Sequence, residues 1–312
     1  MAFEEYVQKE IVADCAEGYL TRREALRRLM VLGVGATAAG VMLAGCSDDD
    51  DDSEADAATS TTLPSSTATT AGGAAAPAGP APLGTEPITF AGPAGELKGS
   101  WSAAPEPKGA VLIVHENTGL TPHFVSMPGR LAASGYSALA IDLLSRKGGT
   151  AAFPDSAQAT AGLTGVGTGI PTADLVADLK AGIDQVLHRA AGHTVGVMGF
   201  CFGGGMVWSL LAAGEKRVAA AVPFYGPLPE GADFSGAKAA VLAFYAENDT
   251  RVNDTRQSAV AALEAAKLTH EVVVEPGTGH AFFNDTRPER YNAAAATDAY
   301  GRLLGWFGKH LS

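Results

Sequence analysis

A cysteine set between small residues is the first feature of this sequence able to do chemistry. Gly199-Phe200-Cys201-Phe202-Gly203 joins an apolar run, Thr194 to Phe200, to a second one, Gly203 to Ala213. The first reads as a strand and the second as a helix. A nucleophile on such a strand-to-helix turn is sterically crowded, so its neighbours two before and two after must be small; Gly199 and Gly203 meet that need. The helix after Cys201 points its N-terminus at the thiol, where its dipole and N–H groups favour a thiolate and a developing oxyanion. A buried packing cysteine is the bland alternative.

Two further residues turn that cysteine into a mechanism. Asp249 follows the strand-like Val241 to Tyr245, and His280 follows Val272 to Glu275. In the order nucleophile, acid, histidine, each lies just past a strand's C-terminal end, where α/β sheets gather their active sites. Asp254 lies next to a helix start where it can cap, and Asp285 comes after His280, in the wrong order. Of the other histidines only His115 has a comparable strand-end place, and none shows metal-ligand spacing. No metal and no cofactor is expected, since no phosphate-binding loop appears either.

The elements that must position these groups alternate. Strands are expected at 88–90, 96–102, 110–114, 136–143, 194–200, 218–224, 239–245 and 271–275, and helices at 122–133, 171–190, 203–213, 253–267 and 289–310. Ala110 to Val114 is a continuous apolar run of the kind buried on both faces of a parallel sheet. Leu175, Leu179, Ile183, Val186 and Leu187 follow helical spacing. Residues 148–169 carry few bulky side chains and read as a long mobile loop. The pattern predicts an α/β fold with a mostly parallel sheet and helices on both faces.

With these motifs in place, residues 88–310 resemble the dienelactone hydrolase family of α/β-hydrolases. The likeness rests on the elbow at 199–203, on Ala246-Glu247-Asn248-Asp249 and on Gly279-His280-Ala281-Phe282. Val114-His115-Glu116-Asn117-Thr118-Gly119-Leu120 and Ile141-Asp142-Leu143-Leu144-Ser145-Arg146 add to it. The resemblance implies that Cys201 attacks an ester or lactone carbonyl, that His280 relays the proton and that Asp249 orients His280. It implies an oxyanion hole from the N–H groups of Asn117 and Phe202. It gives Glu116 a role in generating the thiolate, and Arg146 a role in holding a substrate carboxylate. One position departs: a second family arginine, four residues after the catalytic histidine, is Asn284 here, with Arg287 nearby. Phe202 and Phe282 flank the triad and are the expected pocket walls among aromatics that otherwise belong to the core.

The chain of 312 residues has a net charge of −12. That balance argues against a nucleic-acid partner. Seven acids without a base fall in residues 48–56 alone, a solvated spacer by composition. Arg22-Arg23 precede an uncharged run of 17 residues, Leu29 to Gly45, short for a spanning helix and suited to an export signal of twin-arginine type. Leu43-Ala44-Gly45-Cys46 looks like a lipobox. The expected organisation is therefore an export signal (1–46) with lipidation at Cys46, an acidic and then Ser/Thr/Ala/Pro-rich disordered tether (47–84) and an α/β-hydrolase domain (85–312). The chain would be exported and held by a lipid anchor on the outer face of the bacterial cytoplasmic membrane. Cys201 is the only cysteine in that domain. The leading expectation is a cysteine hydrolase of dienelactone type. The rivals are a carboxylesterase acting on uncharged esters, which Asn284 favours, and a surface binding lipoprotein on a hydrolase scaffold.

Overall fold

The computed structural model of the chain describes residues 3–46 and 77–311. Residues 3–46 form α1 (Phe3–Ala16), α2 (Arg22–Val31) and α3 (Ala36–Met42). The hairpin of β1 (Glu86–Gly92) and β2 (Gly95–Ser102) leads to β3 (Gly109–Val114), α4 (Pro122–Ala133) and β4 (Tyr136–Asp142). Then come α5 (Ser156–Thr164), α6 (Thr172–Arg189), β5 (Val195–Phe200), α7 (Phe202–Ala212) and β6 (Val218–Phe224). The chain closes with β7 (Ala240–Ala246), α8 (Thr250–Ala265), β8 (His270–Glu275) and α9 (Ala293–His310).

The strands make one eight-stranded sheet in the order β1-β2-β4-β3-β5-β6-β7-β8. β1 and β2, and β2 and β4, pair antiparallel; every pair from β4 to β8 is parallel. β3, β4, β5 and β7 are buried along their whole length, as their unbroken apolar runs require. Helix α6 buries Leu175, Leu179, Ile183 and Val186. Its Gly182 lets the backbone come so close to β3 and β4 that a Cβ there would lie 3.1 Å from Leu112. Helices α4 and α9 are joined where the Tyr300 hydroxyl donates to the Arg130 carbonyl at 3.0 Å. The mostly parallel sheet, with helices between its strands, is the α/β fold expected from the sequence.

Residues 148–169 differ from the expected loop. They contain a short 3-10 turn (Thr150–Ala152) and α5, whose N-terminus is capped by Asp155 Oδ1 accepting from the Gln158 N–H at 2.8 Å. The lack of bulky residues is what permits this: alanine is the best helix former, and Gly162 packs so tightly on Phe153 that a Cβ would lie 2.7 Å from the ring.

The N-terminal residues pack onto this body. The apolar run at 29–45 is not one continuous helix: α2 ends at Val31, Gly33 turns the chain at φ 91°, and α3 starts at Ala36. Among the described residues no helix is long and apolar enough to cross a membrane. Helix α2 lies beside α5, with the Val166 N–H donating to the Leu32 carbonyl at 2.8 Å and Arg27 3.4 Å from Asp155. Of the expected tether, residues 47–76 lie outside the described residues. Residues 77–84 run along α4, where the Leu83 N–H donates to the Gly129 carbonyl at 3.0 Å.

Candidate active site

Cys201 occupies the single residue between β5 and α7 with φ 56° and ψ −119°, a backbone conformation that costs a non-glycine residue energy. The crowding foreseen from sequence is present. A Cβ on Gly199 would stand 2.3 Å from the Gly203 carbonyl oxygen, and one on Gly203 would stand 2.4 Å from that of Val114. Both obstacles are backbone and cannot step aside. The Cys201 N–H donates to the Phe224 carbonyl at 3.0 Å, which fixes the elbow against β6.

Asp249 comes three residues after β7, at the start of α8, and His280 five residues after β8. Asp249 Oδ2 lies 2.5 Å from His280 Nδ1, which leaves Nε2 facing the thiol. Cys201, Asp249 and His280 are all buried. Burial opposes charge on His280, but the Asp249 carboxylate and the Cys201 sulfur beside it outweigh that and hold the imidazole well above its ordinary range. Burial likewise opposes charge on Asp249, and His280 and Arg251 hold it below the carboxylate range. Burial and the Glu10 carboxylate push the Cys201 thiol up, with His280 opposing them. The arrangement can transfer a proton from sulfur to Nε2 while Asp249 supports the resulting imidazolium.

The loop after β3 brings Glu116 and Asn117 to the same place. Both are buried. Glu116 Oε2 accepts from Asn284 Nδ2 at 3.1 Å, and its Oε1 is buried without a partner. Phe202 opens α7, where a helix's first N–H groups have no partner within the helix. His115 is structural. Its Nε2 accepts from the Leu143 N–H at 3.0 Å, so Nδ1 carries the proton and donates to the Glu116 carbonyl at 2.6 Å. Burial holds it below the usual histidine range.

Arg146 is not brought to this cluster. Its Nε and Nη2 form a fork on Asp178, at 2.7 and 2.9 Å, and Nη2 also reaches the Asp174 carbonyl at 3.1 Å. The planar geometry that suits a substrate carboxylate is taken up by one from α6.

Helix α1 supplies two groups that sequence reasoning did not find. The Tyr6 hydroxyl lies 3.5 Å from Cys201 Sγ and 3.3 Å from His280 Nε2. The Glu10 carboxylate lies 3.7 and 3.9 Å from Sγ and accepts from Asn117 Nδ2 at 3.1 Å. The thiol–carboxylate contact expected of Glu116 is thus made by Glu10. Arg251 stacks over the Tyr6 ring at 4.9 Å, Phe3 packs on Phe202 with ring centroids 5.0 Å apart, and Asp14 pairs with Arg290 at 2.6 Å. Phe3, Tyr6, Val7, Glu10, Ile11 and Asp14 recur at helical spacing, a signal for the helix but not for where it docks. Glu10, Cys201 and His280 hold ligand atoms within 4.8 Å of one another; this is the one place among the described residues with a metal-type grouping, and two of its members are the thiol and imidazole already described.

A mostly parallel sheet with a cysteine at a strained elbow after β5, and with an aspartate and a histidine beyond β7 and β8, has the architecture of an α/β-hydrolase. The chain belongs to the dienelactone hydrolase family, whose model matches residues 98–311. It is 33% identical over 216 residues to the Salmonella typhi protein named "Putative carboxymethylenebutenolidase", a match over 64% of this chain and 77% of that one. The Klebsiella pneumoniae crystal structure described as a "Putative Dienelactone Hydrolase" superposes with a TM-score of 0.62 at 28% identity, covering 72% of this chain and 98% of that one. The dienelactone hydrolase of Anabaena variabilis shares the fold, with a TM-score of 0.58 at 22% identity over 74% of this chain and all of that one. The protein is a hydrolase of the dienelactone hydrolase type.

Proposed function

We propose that the protein cleaves a carboxylic ester or lactone through a thioester on Cys201. The observation that carries this reading is the convergence of a strained elbow cysteine, a buried histidine and an aspartate 2.5 Å behind it. Sγ attacks the carbonyl carbon as its proton passes to His280 Nε2. The N–H groups of Phe202 and Asn117 receive the oxyanion. His280 then protonates the leaving alcohol, and water, activated by the same Nε2, hydrolyses the thioester. Glu116, buried beside the site with one oxygen unpartnered, biases the thiol's proton by its charge.

A second reading within the same chemistry is hydrolysis of uncharged esters. Arg146 is engaged by Asp178, and Asn284, bonded to Glu116, is uncharged, so neither presents a free cation to a substrate. A charged substrate would meet Arg251 and Arg287 instead. A panel of neutral activated esters and a dienelactone tests both readings: turnover of either that vanishes in Cys201→Ala supports the nucleophile, and the preferred ester identifies the substrate's charge. We also propose that Leu43-Ala44-Gly45-Cys46 acts as a lipobox in an exported precursor; metabolic labelling with a fatty acid in a bacterial host, lost in Cys46→Ala, tests it.

A further inference from the structure

A carbonyl that is to be attacked must come within about 3–3.5 Å of the nucleophile. Around Cys201 Sγ that space is already filled. The Tyr6 hydroxyl sits 3.5 Å from Sγ and 3.3 Å from His280 Nε2, and Glu10 sits 3.7 Å from Sγ while engaging Asn117. Cys201 is only 2% exposed. One helix therefore touches the nucleophile, the base and the oxyanion-loop residue together, as a bound substrate would.

The fit between α1 and the mouth of the site is complementary in charge and shape. The mouth is basic, with Arg251 at the start of α8 and Arg287 and Arg290 in the turns after His280. The face that α1 turns toward it is acidic, and Asp14 and Arg290 are paired at 2.6 Å. Partial burial opposes charge on Arg287, but the Glu116 carboxylate first, and then Glu10 and Asp14 of α1, hold its guanidinium above its ordinary range. Tyr6, Val7 and Ile11 are buried beneath the helix, and Gly205 of α7 leaves room for the Phe3 ring, which a Cβ there would meet at 2.6 Å. Helix α1 itself lies outside residues 98–311, the part matched by the family model, whereas the seat it occupies lies within them.

We infer that the mouth of the active site is a docking surface for the chain's own α1, which occludes Cys201 and keeps the hydrolase latent until α1 leaves. This rests on the reading of Cys201 as the nucleophile. Cleavage in front of Cys46 would remove α1, α2 and α3 together, so the step that releases the N-terminal segment is also the step that opens the site.

The test compares the full chain with Val7→Asp/Ile11→Asp, which forces two charges under α1 without touching the thiol's own partners. Iodoacetamide labelling is read at Cys201 by peptide mass spectrometry, so Cys15 and Cys46 do not interfere, and hydrolysis of a neutral activated ester is read in parallel. The added negative charge by itself would slow alkylation, so a rise reports uncovering. The expected result is alkylation and turnover both about tenfold or more faster in the variant, in proportion to the open fraction. A peptide of residues 3–16 added in trans is expected to reverse both, and its Tyr6→Ala/Glu10→Ala counterpart to fail. Equal Cys201 alkylation in the full chain and in a variant whose α1 amides exchange freely would overturn the inference. Faster alkylation with no ester turned over would uphold latency and contradict the ester reading instead.

Discussion

In the proposed mechanism, the contact between Asp249 and His280 sets how well His280 serves as the base. Asp249→Asn removes the charge that holds the imidazole up and permits the wrong tautomer. A fall in kcat of about 10³-fold or more is expected. The acid limb of the pH–rate profile should move to lower pH, because without Asp249 the imidazolium loses its proton more readily. An unmoved acid limb would show that another group titrates there. Gly203→Ala places a Cβ 2.4 Å from the Val114 carbonyl; a loss of about 2 kcal/mol or more is expected, checked by denaturant unfolding. At this scale the sequence was legible where chemistry demands local spacing: the elbow and the strand-end places of Asp249 and His280. It was not legible where a contact depends on a distant segment. Tyr6 meets His280 across 274 residues, and no local pattern links the two. Glu10 and Glu116 are both carboxylates near the thiol, and only packing decides which one touches it.

Between elements, Asp285 joins α4 to the turns that carry His280. Its carboxylate meets His123 at 2.7 Å and Arg130 at 2.6 Å. Burial opposes its charge, yet these two partners hold it below the carboxylate range. A depressed folded value means that the stabilisation is present above the ordinary carboxylate range, about pH 4, and is lost as pH falls through the depressed value. Asp285→Ala is expected to cost about 3 kcal/mol at neutral pH, because it leaves Arg130 buried and unpaired. Its unfolding midpoint should also vary less with pH on the acid side than that of the parent. Helix α5 shows why some elements escaped sequence reading: its stretch lacks the bulky residues that mark a buried face, and its order comes from the Asp155 cap and from close Ala/Gly packing against Phe153. The strands were readable because full burial on both faces leaves continuous apolar runs.

The molecule as a whole is a hydrolase body with α2 against α5 and helix α1 folded onto its candidate active site. The charge complementarity of that contact makes it sensitive to salt. Raising ionic strength should speed Cys201 alkylation in the full chain more than in Val7→Asp/Ile11→Asp, since only the full chain has the Asp14–Arg290 pair still to screen; an equal response in both would contradict an ionic contribution. The paired arginines, the uncharged run and the Leu43-Ala44-Gly45-Cys46 motif are what set residues 1–46 apart in the sequence. The docking of those residues is not legible there, because an amphipathic helix shows which face it buries and not against what.

The most direct test of the account is an acyl-enzyme trap. The Val7→Asp/Ile11→Asp protein, with the site uncovered, is mixed with a slowly hydrolysed activated ester, quenched in acid and read by intact-mass and peptide mass spectrometry. A single acyl group on the peptide containing Cys201, removed by hydroxylamine and absent when Cys201→Ala is added, is the predicted result. Undiminished ester turnover in the Cys201→Ala protein would contradict the account at its centre.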